Sequence, residues 1–147
     1  MPDKEPIDVF RELDLLCFPA GEFLAAGSAI MAVKGIRPAY DLDIIVSEKL
    51  FEICRVVGDW ELRPWTRRGL PGKDWLKKGK IELLRHLNTN KQIFLFEDLL
   101  VTAEIVRGVP FLSLQQLMEF KRDYGRQKDF DDVELILNYL QGKGDTQ

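Results

Sequence analysis

Two short stretches of this chain carry residue types that can do chemistry together: Gly27-Ser28 and Asp41-Leu42-Asp43. Side chains alternate along a strand, so carboxylates at i and i+2 share one face. Two like charges that close are unfavourable unless a cation lies between them. Mg²⁺ is the natural partner, because hard cations take carboxylate oxygens and substrate phosphates. A glycine at a strand end lets backbone approach a phosphate closely. Ser28 would then open a helix whose free N–H groups and positive dipole end favour an anion. The two halves supply metal binding and phosphate binding, the parts that phosphoryl or nucleotidyl transfer requires. Taken singly each half is commonplace, since Gly-Ser pairs mark turns and Asp-x-Asp serves turn and capping chemistry.

The elements that must position these residues are readable from periodicity. Residues 6–18 predict an amphipathic helix, with Ile7, Phe10, Leu13 and Cys17 near one face and Pro6 at its first position. Phe23 to Ala26 predicts a short strand ending at Gly27. Ala29 to Val33 predicts a short helix closed by Gly35. Asp41 to Val46 predicts a strand entering a buried sheet, and Ser47 caps a helix whose Leu50, Phe51, Cys54 and Val57 face inward. Residues 58–80 hold all three tryptophans (Trp60, Trp65, Trp75) among basic, Pro and Gly residues, and predict a long, partly ordered connection. Ile81 to Leu87 and Gln92 to Phe96 predict a hairpin, and Thr102 to Val106 a further strand. Ser113-Leu114-Gln115-Gln116 matches a capping box, so a helix should start there and stop at Gly125. Asp129 predicts the cap of a last helix, ended by Gly142, with Val133, Ile136, Leu137 and Leu140 at helical spacing. This order predicts an α+β chain: a mixed sheet with flanking helices, forming one domain over residues 1–147, with C-terminal helices of about residues 113–141 packed on it.

Composition narrows the partners. A net charge of −3 and a pI of about 5.3 argue against a surface coated in positive charge for nonspecific nucleic-acid binding, and leave a local basic patch open. Neither a signal-peptide pattern at the first residues nor an apolar run of membrane-spanning length is present, which makes the cytoplasm the expected location. Cys17 and Cys54 both sit among apolar residues and read as small buried hydrophobes. One His and two distant Cys cannot assemble a zinc site.

Leu24-Ala25-Ala26-Gly27-Ser28, then twelve residues, then Asp41-Leu42-Asp43-Ile44 resembles the signature of the DNA polymerase β-like nucleotidyltransferase superfamily. The tail adds a second match. Phe111 to Leu117, Lys121, and Arg126-Gln127-Lys128-Asp129-Phe130-Asp131-Asp132-Val133 are similar to the "L-S-x-x-x-L" and "R-x-K-D-x-x-D-hydrophobic" segments of small bacterial and archaeal members. The resemblance spans about residues 23–140. It implies the nucleotidyltransferase fold and Mg²⁺-dependent transfer of a nucleoside monophosphate from a nucleoside triphosphate to a hydroxyl acceptor. It places Asp41 and Asp43 as catalytic metal ligands, and Gly27 and Ser28 at the β- and γ-phosphates.

The family's third carboxylate, on a later strand, falls at Glu82, where most small relatives have Asp; Glu104 is the second choice. By the same resemblance Arg37 approaches substrate phosphates, and Lys128 reaches a phosphate or pairs with an active-site carboxylate. His86, four residues beyond Glu82, falls on the same strand face at period two, which makes it a candidate for a catalytic role as well as an ordinary half-buried residue. The resemblance also implies an alternative, a degenerate nucleotide-binding member or one half of a toxin–antitoxin pair. The chain is short for a complete acceptor-binding domain, so a homodimer or partner protein is expected to complete the acceptor site. The tryptophan-rich basic segment suits base stacking and phosphate contact as well as plain packing.

Overall fold

The computed structural model of the protein describes residues 5–65, 73–89 and 91–145. Arg67, Arg68, Gly69, Pro71 and Gly72 of the tryptophan-rich segment, and Asn90 of the expected hairpin turn, lie outside them.

The chain runs α1 (Val9–Leu16), β1 (Phe23–Ala26), α2 (Ala29–Val33), β2 (Leu42–Val46), α3 (Glu48–Val56), β3 (Glu61–Arg63), β4 (Trp75–Lys78), β5 (Ile81–Leu84), β6 (His86–Asn88), β7 (Ile93–Leu95), α4 (Phe96–Val101), β8 (Glu104–Val106), β9 (Val109–Phe111), α5 (Leu114–Tyr124) and α6 (Gln127–Asp145). The α+β class is therefore what the structure contains. Helix starts follow capping chemistry. The side chains of Asp8, Ser47 and Ser113 accept hydrogen bonds from the backbone N–H groups of Arg11, Leu50 and Gln116, satisfying donors that have no partner inside the helix.

Seven strands form one mixed sheet in the order β3-β4-β5-β2-β1-β9-β8, and β6 pairs with β7 in a separate ribbon. β1 and β2 are antiparallel, with Ala26 opposite Asp43. β2 and β5 are parallel, with Asp43 opposite Glu82. β9 lies parallel to β1 on its other side, and Leu112 N–H donates to the Ala25 carbonyl at 2.8 Å. The two central strands are apolar on both faces, as strands covered on both sides must be. Leu24, Ala25, Leu42, Ile44 and Ile45 have no exposed area. Leu114, Leu117, Phe120, Val133 and Ile136 of α5 and α6 join the same core cluster. Among the described residues no helix is long and apolar enough to cross a membrane.

Several expectations are corrected. α1 begins after Asp8 rather than at Pro6. Cys17 is exposed at its left-handed end, and only Cys54 is buried. The segment 58–80, expected as a long, partly ordered connection, contributes two paired strands, β3 and β4. Ile81 to Leu87 is broken at Arg85 into β5 and β6, which belong to different sheets. The short helix α4 follows β7 where none was expected; Phe96 and Leu99, three apart, bury one side of it. Gly142 does not end α6, which continues to Asp145.

Phe111 anchors β9 under β1. It is fully buried and meets Phe10 edge-on, ring centroids 5.8 Å apart. Phe111→Ala should cost about 3–5 kcal/mol through lost transfer energy and a residual cavity, read as a lowered urea midpoint with an unchanged m-value.

Candidate active site

Gly27 closes β1 with φ +57°, a left-handed backbone that glycine adopts without penalty. The antiparallel register then brings the Asp43 side chain against this turn. A Cβ placed on Gly27 would lie 3.1 Å from Asp43 Oδ2. Sheet pairing delivers the rest of the acidic group. Asp41 immediately precedes β2 and is exposed, and Glu82 stands beside Asp43 on β5. The Asp43 carboxyl is pushed up to about 7, first by desolvation and then by the charges of Glu82 and Asp41, with Lys77 opposing. Burial and the neighbouring like charges both disfavour the ionised form of Asp43.

The opposite side of the site comes from the C-terminal helices. Asp129 and Asp132 sit three residues apart on α6, so both face the same way, and both are buried. The Arg37 fork grips Asp132, with Nε donating to Oδ1 and Nη2 to Oδ2, each at 2.8 Å. Lys121 of α5 places Nζ 2.8 Å from Asp132 Oδ2 and 3.8 Å from Asp129. Arg126 donates to Asp129 through Nε at 2.6 Å and through its backbone N–H at 3.2 Å. Burial works to raise both carboxyls, but the hydrogen bonds from Arg126 to Asp129, and from Arg37 and Lys121 to Asp132, hold them below the usual range. The expected cap at Asp129 is thus corrected. α6 starts earlier, at Gln127, and Asp129 folds back onto Arg126 N–H, the reverse half of a capping box.

Both groups line one cleft of about 340 Å³. Gly27, Ser28, Arg37, Asp41, Asp43 and Lys128 all contribute to it, together with Lys121, Arg126, Asp129 and Asp132. Tyr40, Leu87, Leu112, Leu117, Phe120 and Tyr124 supply apolar and aromatic lining. Six of the seven residues singled out from sequence are therefore brought together. Glu82 neighbours Asp43 but is not among the lining residues, and its carboxylate lies 3.5 Å from Lys77 Nζ. Glu104 is excluded as its substitute: it lies on β8, the far edge of the sheet, and pairs with Lys34.

Sequence reasoning named Lys121, Arg126 and Asp132 within the tail match but gave them no part in the site, and it missed Tyr124. The i, i+3 spacing of Asp129 and Asp132 was the available signal. α2, at five residues, is a weaker anion site than a full helix, since the macrodipole needs aligned peptides to accumulate. His86 does not share a face with Glu82, because the chain breaks at Arg85. It is buried beside Trp65 at 5.8 Å, and burial lowers its pKa. No tryptophan lines the cleft among the described residues. Instead Trp60 lies under Lys78 and Trp75 under Arg63.

The donor set suits Mg²⁺. Asp41, Asp43 and Glu82 offer only hard oxygens, and the Asp43 carboxyl is raised first by burial and then by the charges of Glu82 and Asp41, the part that a divalent cation would relieve. Among the described residues no three acidic, His or Cys side chains form a ready-made metal cage. Mg²⁺ commonly takes one or two carboxylates and completes its shell with water and substrate phosphates.

Gly27→Ala should destabilise by about 1–3 kcal/mol, the cost of a left-handed non-glycine backbone, and displace the Asp43 carboxylate; chemical denaturation measures it. Asp43 also makes stability pH-dependent. Its folded pKa exceeds the unfolded value, so the folded state binds the extra proton between the ordinary carboxylate range and about 7. In metal-free buffer stability should fall as pH rises through that window, by up to about 1.4 kcal/mol per unit. His86, with its lowered pKa, works in the opposite direction. The readout is therefore the difference between wild type and Asp43→Asn, in which the fall should disappear.

No protein-family model, curated protein or solved structure matches this chain, so its functional reading rests on the residues of this cleft.

Proposed function

We propose that the protein is a Mg²⁺-dependent nucleotidyltransferase of the polymerase β-like fold, moving a nucleoside monophosphate from a nucleoside triphosphate to a hydroxyl acceptor. One observation carries this reading. A single cleft joins a cluster of mutually repelling carboxylates next to a glycine turn with the cationic side chains of Lys121, Arg126 and Lys128. A ligand that satisfies both must be strongly anionic at one end and bridged by a cation at the other, which describes a metal-bound triphosphate.

In this reading Asp41 and Asp43, with Glu82 alongside, would hold the Mg²⁺. When bound, the ion neutralises phosphate charge and favours displacement at phosphorus. Asp43 gives up the proton it retains near neutral pH as the ligand arrives. Gly27 allows backbone approach to the β- and γ-phosphates, and Ser28 offers its hydroxyl to them. Lys121, Arg126 and the exposed Lys128 surround the triphosphate with positive charge. Leu87, Leu112, Leu117, Phe120 and Tyr124 provide a surface on which a nucleobase packs. Glu82, beside Asp43 but outside the cleft lining, would help deprotonate the acceptor hydroxyl or complete a second metal site. Positioning and charge neutralisation supply most of the acceleration.

Calorimetric titration with ATP, CTP, GTP and UTP in Mg²⁺ tests this. Heat is the better readout because the tryptophans stand outside the cleft. Wild-type protein should bind at least one triphosphate only with the metal present. It should also release label from the corresponding α-³²P nucleotide onto an acceptor in cell extract. Asp41→Asn/Asp43→Asn should lower transfer by about 100-fold or more. Metal-dependent binding without transfer would mark a non-catalytic nucleotide-binding protein, and no binding of any triphosphate would sink the proposal.

A further inference from the structure

Ser is among the best helix N-caps, and Ser28 stands at the N-cap of α2, yet its side chain makes no cap hydrogen bond. Its hydroxyl is engaged elsewhere: Arg37 Nη2 donates to Ser28 Oγ at 2.8 Å. A guanidinium has donors and no acceptor, so Arg37 takes a lone pair of the hydroxyl and cannot receive its proton. The Ser28 O–H proton is thereby left to point at some other acceptor, and Ser28 lines the cleft.

Arg37 is itself fixed from behind. Four of its five N–H donors are accounted for: Nε and one Nη2 proton to Asp132, the second Nη2 proton to Ser28, and one Nη1 proton to the Pro38 carbonyl at 2.8 Å. One Nη1 proton remains. The fork-to-fork contact with a carboxylate 7% exposed sets the guanidinium plane, as such bidentate pairs do. Lys121 on the same Asp132 oxygen compensates the buried charge further.

Building on the nucleotidyltransferase reading, we propose that Asp132 is a positioning residue for the triphosphate. It orients Arg37 so that Arg37 claims the acceptor side of Ser28 Oγ and turns the Ser28 O–H toward a phosphate oxygen. The chain of contacts runs Asp132, Arg37, Ser28, phosphate. It links α6 to the Gly27 turn, and it gives the last aspartate of the tail segment a task distinct from metal binding. A purely structural Asp132 would stabilise the fold without regard to Ser28; an orienting Asp132 acts on the ligand only while the Ser28 hydroxyl exists.

A double-mutant cycle on the full chain separates these cases. The probe is inorganic tripolyphosphate with Mg²⁺, which removes base preference from the question, measured by calorimetry. Ser28→Ala and Asp132→Asn should each weaken binding by about tenfold, the value of one hydrogen bond to a charged group. The double variant should be no weaker than either single one. Circular dichroism melts establish that each variant is folded. If Asp132→Asn does not fold, Arg37→Lys, which keeps the cation but loses the planar fork, takes its place in the same cycle. Additive losses with binding intact in wild type would overturn the orienting chain alone. Absence of any binding by wild type would overturn the triphosphate reading and this inference with it. Non-additive losses on Ser28 support it.

Discussion

The site depends on the pairing of Ala26 with Asp43 across β1 and β2. This register sets a carboxylate against a turn where only a glycine fits, because a Cβ on Gly27 would crowd Asp43 Oδ2 at 3.1 Å. A slip of one residue would rotate the strand's side chains to the other face. Asp43 would then move into the core, and Ile44 would be turned toward the site. The buried Ile44 and Val46 on one face, with Leu24 and Ile45 on the other, hold the register through hydrophobic burial. Packing energy thus keeps three acids together, an arrangement their mutual repulsion opposes.

Charge balance explains why the C-terminal helices are needed. Carboxylates from β2 and β5 gather at one end of the sheet, and α5 and the start of α6 present Lys121, Arg126 and Lys128 to the same cleft. α6 carries its own buried acids, Asp129 and Asp132, which neutralise most of that cationic group before any ligand arrives. Buried charges without partners are strongly destabilising, whereas paired ones are tolerated. The result is a cleft whose cations are already oriented, while Lys77 only partly offsets the charges around Asp43, and Arg37, whose fork is committed to Asp132, is the cation that feels Asp41.

How much of this was legible in the sequence varies with the range of the interaction. Ser47 and Ser113 announced α3 and α5 because capping acts within three residues, and the apolar runs at 23–26 and 42–46 announced the central strands. The grouping of Gly27, Ser28, Asp41 and Asp43 was legible because the two stretches lie on consecutive strands. Glu82 was placed beside Asp43 by expectation, and strand pairing puts it there. The break at Arg85 was not legible. Ile81 to Leu87 is an unbroken pattern locally, and only tertiary contacts divide it, with Arg85 stacked over Phe51 and reaching the Asp74 carbonyl. β3, an edge strand, and β4, four residues long, were obscured by the prolines and glycines around them, which cut short any periodic signal. Cys17 misled because an apolar neighbourhood in sequence says nothing about a residue that ends its helix in a left-handed turn.

The tail segment shows the limit of reading residues by type alone. Arg126, Lys128, Asp129, Asp131 and Asp132 are five charges within seven positions, and composition alone suggests a solvated helix start. Helical geometry divides them. Positions 129 and 132 fall on one face and turn inward, while Lys128, one residue from Asp129, points to solvent at the mouth of the cleft. The inward pair then selects partners far away in sequence, with Arg37 lying 95 positions from Asp132. A bond over that separation carries a loop-closure cost that a surface ion pair would not recover. It survives here because burial and the bidentate geometry strengthen it. An apolar residue at 132 alone would leave Lys121 and Arg37 without their counter-charge, so the carboxylate is held there by its cationic partners rather than by apolar packing between α5 and α6. What the carboxylate adds is a fixed orientation for Arg37, and through it for the hydroxyl at the edge of the Gly27 turn.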